Sequence, residues 1–188
     1  MARIEYRNDV TRATEEMEGS DGRANVSSRV DGRAYYIARD QGQNYNMVFE
    51  HSAAADGQYS AYLQNTSTDK TLVVTHIGLN ATNIARIKLW EVTGTATDGV
   101  SVVPKNTNLV SSNDAAAATA LHDGGGTTIG GLSVSGAAID DVQLSANGHE
   151  EFRLNDTLRL GQNDAIAIEM DTGTSTPLVF GLIAFFYE

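Results

Sequence analysis

The sequence predicts an all-β fold: an antiparallel β-sandwich, jelly-roll-like, with an extended N-terminal arm. Short runs within residues 41–188 alternate between apolar and polar side chains, as strands do when one face is buried and the other is wet. Turns rich in Asn, Asp and Gly separate these runs, and the chain has only 2 prolines. Many short strands with almost no helical pattern are typical of sandwiches and jelly rolls.

The first 40 residues differ in composition from the rest, and this difference predicts the arm. They are charge-dense, and no apolar period runs through them. Residues 9–18 have the composition of a short helix, which Gly19 would end. Because few apolar side chains are available to hold this region on a core, we expect an arm that either stays loose or lies on a neighbouring subunit.

The body of the protein, residues 41–188, is predicted to hold the sandwich. In residues 85–92 the alternation is strict, so Ile87 and Leu89 should face the core, and Val92 and Trp90 compete for it. Residues 178–187 are apolar on both faces, which indicates a central strand or one that faces a neighbouring subunit. The predicted strands are residues 35–38, 45–49, 58–64, 70–79, 85–92, 141–144, 150–154, 158–160, 165–170 and 178–187.

A long insertion rich in Gly, Ala and Thr is predicted at residues 93–136. It contains the one convincing candidate for a helix after the arm, residues 113–121, with Asn113 or Asp114 as its N-cap. Glycines 124–126 would end that helix. Long excursions between strands often carry contacts with partners, and we expect the same of this one.

Composition and charge exclude several classes of protein. The absence of cysteine excludes disulfides and cysteine-based metal sites. The N-terminus lacks the apolar stretch of a secretory signal, and the longest apolar run is too short for a membrane-spanning helix. Residues 41–188 carry most of the net charge of −11, and such an acidic body repels nucleic acid. We therefore expect neither a membrane nor a nucleic-acid partner.

Local motifs predict no catalytic, cofactor-binding or metal-binding residue. The histidines are too far apart in sequence to form a local metal site. The run at residues 131–135 lacks the second glycine of a nucleophile elbow, and the glycines at 124–126 lack the lysine of a phosphate-binding loop. Adjacent acidic pairs at 140–141 and 150–151 would point to opposite faces of a strand. The sequence leaves open whether a cation is held by Asp140, Asp141, Asp156 or Asp164.

Several segments, taken in order, resemble small structural proteins from the virions of tailed bacteriophages. The similarity covers residues 58–188 and ends on an aromatic C-terminal strand. An alanine-rich segment lies near its middle. The other segments that carry it are residues 63–67 (LQNTS), 72–77 (LVVTHI), 87–92 (IKLWEV), 93–95 (TGT), 104–108 (PKNTN) and 158–168 (LRLGQNDAIAI).

The resemblance implies a capsid decoration (cement) protein. Such a protein would be a non-enzymatic homotrimer, made in the host cytoplasm and placed on the virion surface, where it stabilises the head. Its partners would be copies of itself and the major capsid protein, between whose subunits it binds. The residues expected at these interfaces are Arg3, Tyr6, Arg7, Arg12, Arg23, Arg29, Phe185, Phe186 and Tyr187.

Other functions remain open on the sequence. Within the virion, the chain could be a tail, baseplate or fibre component. A carbohydrate-binding, lectin-like sandwich is the alternative from another class, with Trp90 and tyrosines stacking on a sugar ring. An enzyme is the third, and its active site would have to be assembled from residues distant in sequence.

Overall fold

The structure is a computed structural model that describes residues 5–7, 14–16, 37, 41–52, 56–113, 116–124, 127–171 and 177–188. The chain divides into two compact units, Met1–Gly32 and Arg33–Glu188. The boundary falls eight residues before the one predicted at residue 40. The larger unit holds the sandwich.

The described part of the first unit is a small antiparallel pair of strands. Strand β1 (Glu5–Arg7) pairs with β2 (Thr14–Glu16), with Glu5 opposite Glu16. The helix predicted over residues 9–18 is therefore wrong at Thr14–Glu16. Local composition suggested the helix, but pairing with a second segment decides the structure of these residues.

The described residues of the second unit form twelve strands, and the strands predicted from residue 45 onward are confirmed in place. The strand predicted at residues 35–38 lies outside the described residues except for Ile37. The strands are β3 (Asn44–Ser52), β4 (Gln58–Asn65), β5 (Leu72–Ala81), β6 (Ala85–Thr97), β7 (Val100–Ser101), β8 (Lys105–Asn106), β9 (Ala118–His122), β10 (Gly130–Val134), β11 (Asp140–Leu144), β12 (His149–Leu160), β13 (Ala165–Asp171) and β14 (Leu178–Tyr187).

These strands form two antiparallel sheets with jelly-roll connections. The five-stranded sheet has the order β12-β5-β14-β3-β8. The seven-stranded sheet has the order β10-β6-β13-β4-β9-β7, with β11 also paired to β6. The chain changes sheet at each step from β3 to β6 and again from β12 to β14. The predicted β-sandwich is thus confirmed, and its strand order is that of a jelly roll.

The main core lies between the two sheets. Met47, Leu79 and Ile183 come from the five-stranded sheet, and Leu63 and Ile168 come from the seven-stranded sheet. Since these side chains occupy alternate strand positions, each strand contributes one face to the core. At one end of it, three aromatic rings pack together, those of Tyr45, Phe185 and Tyr187.

A second apolar cluster covers the outer face of the seven-stranded sheet. Ile87 and Leu89 point into the main core as predicted, whereas Trp90 and Val92 lie in the outer cluster with Tyr62. Neither Val92 nor Trp90 faces the main core, because both lie on the opposite face of the sheet. Strand β6 is therefore apolar on both faces.

The predicted insertion at residues 93–136 is part of the sandwich. It contains the end of β6 and strands β7 to β10, all of which except β8 belong to the seven-stranded sheet. The helix predicted at residues 113–121 is wrong from residue 118 onward, because Ala118–His122 is a strand that pairs with β4 on one side and β7 on the other. Pairing on both sides outweighs the helical preference of alanine.

Strand β12 forms one edge of the five-stranded sheet. Its pairing with β5 shifts register between Arg153 and Leu158, and Asp156 has a positive φ of 60°. The sequence predicts two strands, at residues 150–154 and 158–160. In the structure both belong to β12, and the bulge lies between them. Bulges and charged side chains protect a sheet edge from pairing with another chain.

Asn65 fastens the turn between β4 and β5 to the end of β12. Its buried side-chain amide donates hydrogen bonds to the carbonyls of Lys70 and Leu160, each 2.9 Å long. Its side-chain oxygen accepts a hydrogen bond from the Ser67 backbone N–H at 2.9 Å. One side chain therefore satisfies polar groups from segments far apart in sequence.

Candidate functional site

The structure describes only part of the predicted interface. Arg3, Arg12, Arg23 and Arg29 lie outside the described residues. Tyr6 and Arg7 are both on β1.

The three interface residues predicted on the final strand are interior residues. Phe185 and Tyr187 are buried in the main core. Phe186 is buried on the outer face of the same sheet, where it packs with Ile37 and Val73. Their burial within the chain corrects the expectation that these side chains contact a partner.

Other side chains on β14 and on its neighbour β3 do reach the surface. Val48 on β3 is 66% exposed, and Phe180 on β14 is 41% exposed. Leu182 lies opposite Val48, and Leu178 follows on the same face of β14; both are half-buried. We call Val48, Leu178, Phe180 and Leu182 the apolar strip. It lies on the outer face of the five-stranded sheet.

Polar residues border the apolar strip. Phe180 lies between Glu50 on β3 and Asn80 on β5, both exposed. Leu182 lies beside Gly78, which adds no side chain and leaves that part of the face flat. An apolar centre with a polar border is the usual arrangement of a protein–protein contact surface.

A second exposed apolar feature stands on the turn that follows β8. Leu109 is 91% exposed and Val110 is 95% exposed. We call these two residues the apolar tip. Single exposed apolar residues are common on protein surfaces, whereas here two adjacent aliphatic side chains are almost fully exposed.

Hydrogen bonds from Asn106 hold the turn that carries the apolar tip. The Asn106 side-chain amide donates to the carbonyls of Gly42 and Asn113, both at 2.6 Å. Its side-chain oxygen accepts from the Asn108 backbone N–H at 2.8 Å. Asn106 is buried, so these bonds are shielded from water.

Gly42 lets the turn approach the start of β3. It has a φ of 60°, and a Cβ at this position would collide with the Ser111 side chain. The Ser111 hydroxyl donates to the Gly42 carbonyl at 3.1 Å. The Asn113 amide donates to the Gln41 carbonyl at 3.0 Å. The turn is therefore fixed to β3 and its approach by several independent bonds.

A serine, a histidine and an aspartate meet inside the sandwich. His51 Nδ1 lies 2.8 Å from Ser60 Oγ, and His51 Nε2 lies 3.1 Å from Asp123 Oδ2. The contact between His51 Nε2 and Asp123 Oδ2 does not have the geometry of a hydrogen bond. Ser60 is 0% exposed, so its hydroxyl is closed to a substrate. The contacts join β3 to β4 and to the end of β9, which is a structural role.

Burial lowers the pKa of His51, and the nearby charge of His122 acts in the same direction. The carboxylate of Asp123 and a hydrogen bond to the Gln58 side chain oppose this effect without cancelling it. The native state consequently binds a proton at His51 less readily than the unfolded chain, whose histidine has an ordinary pKa of 6.5. Folding stability contributed by neutral His51 is present above that value and is lost as the pH falls below it.

We therefore expect the free energy of unfolding to fall as the pH is lowered from 7 to 5, by up to about 1.4 kcal/mol per pH unit from this residue. Urea unfolding at several pH values measures the slope. His51→Gln should flatten it over this range, whereas the control His149→Gln, at an exposed position, should keep it. An equal slope in the wild type and His51→Gln would contradict this assignment.

Three of the four acidic residues considered for a cation, Asp140, Asp141 and Asp164, accept hydrogen bonds from the protein. Arg86 donates to both oxygens of Asp141, with Nε at 2.8 Å from Oδ1, and this pairing lowers the pKa of Asp141. Asp164 Oδ2 accepts from the Gly161 backbone N–H at 2.8 Å. Within the described ranges no three His, Asp or Glu residues are placed to hold a metal ion.

The part of the chain that the structure describes contains no helix long and apolar enough to cross a membrane.

Comparison with known proteins gives no relative. The chain matches no protein-family model, no curated protein and no solved structure. The apolar strip and the apolar tip are therefore the features from which a function can be inferred. Sequence reasoning missed both, although a leucine–valine pair between Asn108 and Ser111 in a polar stretch is visible in the sequence.

Proposed function

We propose that this protein is a non-enzymatic structural component of a phage virion, a decoration protein that binds between major capsid subunits and stabilises the head. The observation that carries the proposal is the presence of two separate exposed apolar features on one small chain. Grouped exposed apolar residues are typical of surfaces that contact a partner. The resemblance of residues 58–188 to virion proteins agrees with this role.

The fold supports the same proposal. Double-sheet jelly rolls recur in viral capsid domains and in lectins. Since a fold alone does not fix a function, the exposed surfaces have to distinguish these uses. Trp90 is half-buried in the outer cluster with Tyr62 and Val92, where its ring serves as packing instead of as an open platform for a sugar. The surface features favour protein contacts.

The distribution of charge supports a role for the first unit in binding the shell. Five of the seven arginines within residues 1–40 lie in Met1–Gly32, and residues 41–188 are strongly acidic. Arginine forms directed hydrogen bonds with carboxylates and is enriched at protein interfaces. The acidic remainder keeps the protein from adhering to packaged nucleic acid. We therefore assign shell attachment to Met1–Gly32 and the structural body to Arg33–Glu188.

Deletion of residues 1–32 should leave the sandwich folded and abolish binding to the shell. Co-sedimentation with expanded shells assembled from the major capsid protein of the source phage measures attachment, and calorimetry measures the rise in shell rupture temperature. The full-length protein at the same concentration is the control, and near-ultraviolet circular dichroism reports folding of the truncated form. Undiminished attachment would contradict the assignment, and attachment to tails instead of heads would change it to a tail component.

A further inference from the structure

The turn between β11 and β12 contains the one asparagine–glycine pair of the chain, Asn147–Gly148. Glycine has no side chain to shield its backbone nitrogen, so the side chain of an asparagine that precedes it is especially open to attack by that nitrogen. We propose that Asn147 is a site of spontaneous deamidation, that the folded turn sets the rate of the reaction, and that the product loosens the start of β12. This chemistry is independent of the proposed role in a virion.

The reaction needs only water and hydroxide. The Gly148 backbone nitrogen loses its proton to hydroxide and attacks Cγ of Asn147, and the new nitrogen–Cγ bond closes a succinimide ring. The bond between Cγ and the side-chain nitrogen breaks, and that nitrogen leaves as ammonia after taking a proton from water, which restores the hydroxide. Water then hydrolyses the ring. Opening at Cγ gives aspartate, and opening at the main-chain carbonyl gives isoaspartate, whose main chain runs through Cβ and Cγ.

The geometry of the turn requires this pair of residues. Asn147 has a positive φ of 55°, a conformation that asparagine tolerates better than most residues. A Cβ at Gly148 would lie 2.6 Å from Ser145 Oγ and 2.8 Å from the Ser145 carbonyl oxygen, so glycine is needed there. Asn147 is also exposed, so water reaches it. The residues that shape the turn are therefore the ones that make it chemically labile.

Hydrogen bonds of the folded turn slow the reaction. The Gly148 N–H donates to the Ser145 carbonyl at 2.9 Å, and this proton has to leave before the nitrogen can attack. The Gly148 carbonyl accepts from the Ala81 N–H at 3.2 Å, which fixes the glycine against the end of β5. Because the attacking nitrogen is released only when the turn opens, the rate follows the population of the open turn.

The isoaspartate product disrupts the pairing at the start of β12. It lengthens the main chain by one methylene just before Gly148, which displaces that residue from Ala81. His149 then no longer lies opposite Asn80, its partner on β5. The new carboxylate adds a negative charge near Glu150, on a chain whose net charge is already −11. Among the described strands β12 pairs only with β5, so no second neighbour holds it in place.

Asn163 provides an internal control for this proposal. It is also exposed, has a positive φ of 67° and precedes Asp164, whose N–H donates to the Gly161 carbonyl at 3.1 Å. The two turns share exposure, backbone conformation and hydrogen bonding, and they differ in the residue that follows the asparagine. A reaction decided by exposure or turn geometry would proceed equally at both sites, whereas the proposed chemistry selects Asn147.

Incubation of the full-length protein at mildly alkaline pH, with and without urea, tests the site and its control by the fold. Peptide mapping by mass spectrometry should find aspartate and isoaspartate at Asn147, formed at least about 10-fold faster in urea than in the folded protein. Conversion of Asn163 in urea should be at least about 10-fold slower than that of Asn147. An unmodified Asn147, or equal rates at the two asparagines, would overturn the site. Equal rates with and without urea would overturn control by the turn.

Hydrogen exchange of the product tests the loosening of β12. The isoaspartate form, separated by chromatography after treatment in urea and then refolded, should exchange the amide hydrogens of residues 149–152 at least about 10-fold faster than untreated protein. Asn147→Asp carries the added charge on an ordinary main chain, and Asn147→Gly accepts the positive φ without a reactive amide. Both variants, treated in parallel, should keep the original protection. Unchanged exchange in the isoaspartate form, or the same loss in Asn147→Gly, would show that the modification does not loosen β12.

Discussion

Phe185→Asp is expected to unfold the sandwich at room temperature. Phe185 is fully buried, and its ring centroid lies 5.7 Å from that of Tyr45 and 6.0 Å from that of Tyr187. Loss of a buried phenylalanine costs about 3–5 kcal/mol, and an ion in its place adds several more for desolvation. The sum is comparable with the whole stability of a typical domain, about 5–15 kcal/mol.

Phe180→Asp on the same strand is the matched control for this prediction. Phe180 is 41% exposed and lies on the outer face of the sheet, so a carboxylate there stays in contact with water. Near-ultraviolet circular dichroism and urea unfolding of both variants measure the difference. Phe180→Asp should remain folded with a stability within about 1 kcal/mol of the wild type. Similar unfolding curves for the two variants would show that Phe185 is not in the core.

Strand positions could be predicted because their signal is local. In β3 and β6 every second side chain faces the core, and that alternation is written in neighbouring residues such as Met47 and Phe49. The turn at residues 161–164 was also predictable, since Asn163 has a positive φ of 67° and asparagine tolerates that conformation. The sandwich follows from these elements together.

Features set by distant contacts could not be predicted. The alanines of β9 favour a helix in isolation, and only their pairing with β4 and β7 makes them a strand. The pattern of β14 shows that both faces are apolar, but it does not show what covers them. Ile37, nearly 150 residues earlier in the chain, covers Phe186 and leaves Phe180 exposed.

The candidate site could not be predicted for the same reason. Leu109 and Val110 are exposed because Asn106 bonds their turn to Gly42, 64 residues away in sequence. Val48 is exposed because no segment among the described residues covers that part of β3. Exposure of an apolar residue depends on what the rest of the chain does, and a single sequence does not contain that information in local form.

Gly181→Ala is expected to destabilise the protein by about 2–3 kcal/mol, the cost of overpacking a core. Gly181 lies on the central strand β14 between Phe49 on β3 and Leu79 on β5. The Phe49 ring packs directly over the glycine, where a Cβ would overlap three ring atoms. Because Phe49 is fully enclosed in the core, the ring cannot turn aside without displacing its neighbours.

Gly78→Ala provides a control in the neighbouring strand. A Cβ at Gly78 would come no closer than 3.8 Å to another heavy atom, His149 Cε1. That alanine should therefore be neutral or stabilise the protein by up to about 1 kcal/mol through the unfolded state. Thermal melting should show a decrease of roughly 5–10 °C for Gly181→Ala and no decrease for Gly78→Ala.

A double-mutant cycle with Phe49 identifies the cause of the effect at Gly181. If the overlap with the ring destabilises Gly181→Ala, the same substitution in a Phe49→Ala background should cost less than about 1 kcal/mol, because the space above the strand is then empty. An undiminished effect would place the cause in the backbone of β14 instead. The cycle thereby tests whether the close approach of an aromatic ring to glycine determines how β3 and β14 fit together in the sheet that carries the apolar strip.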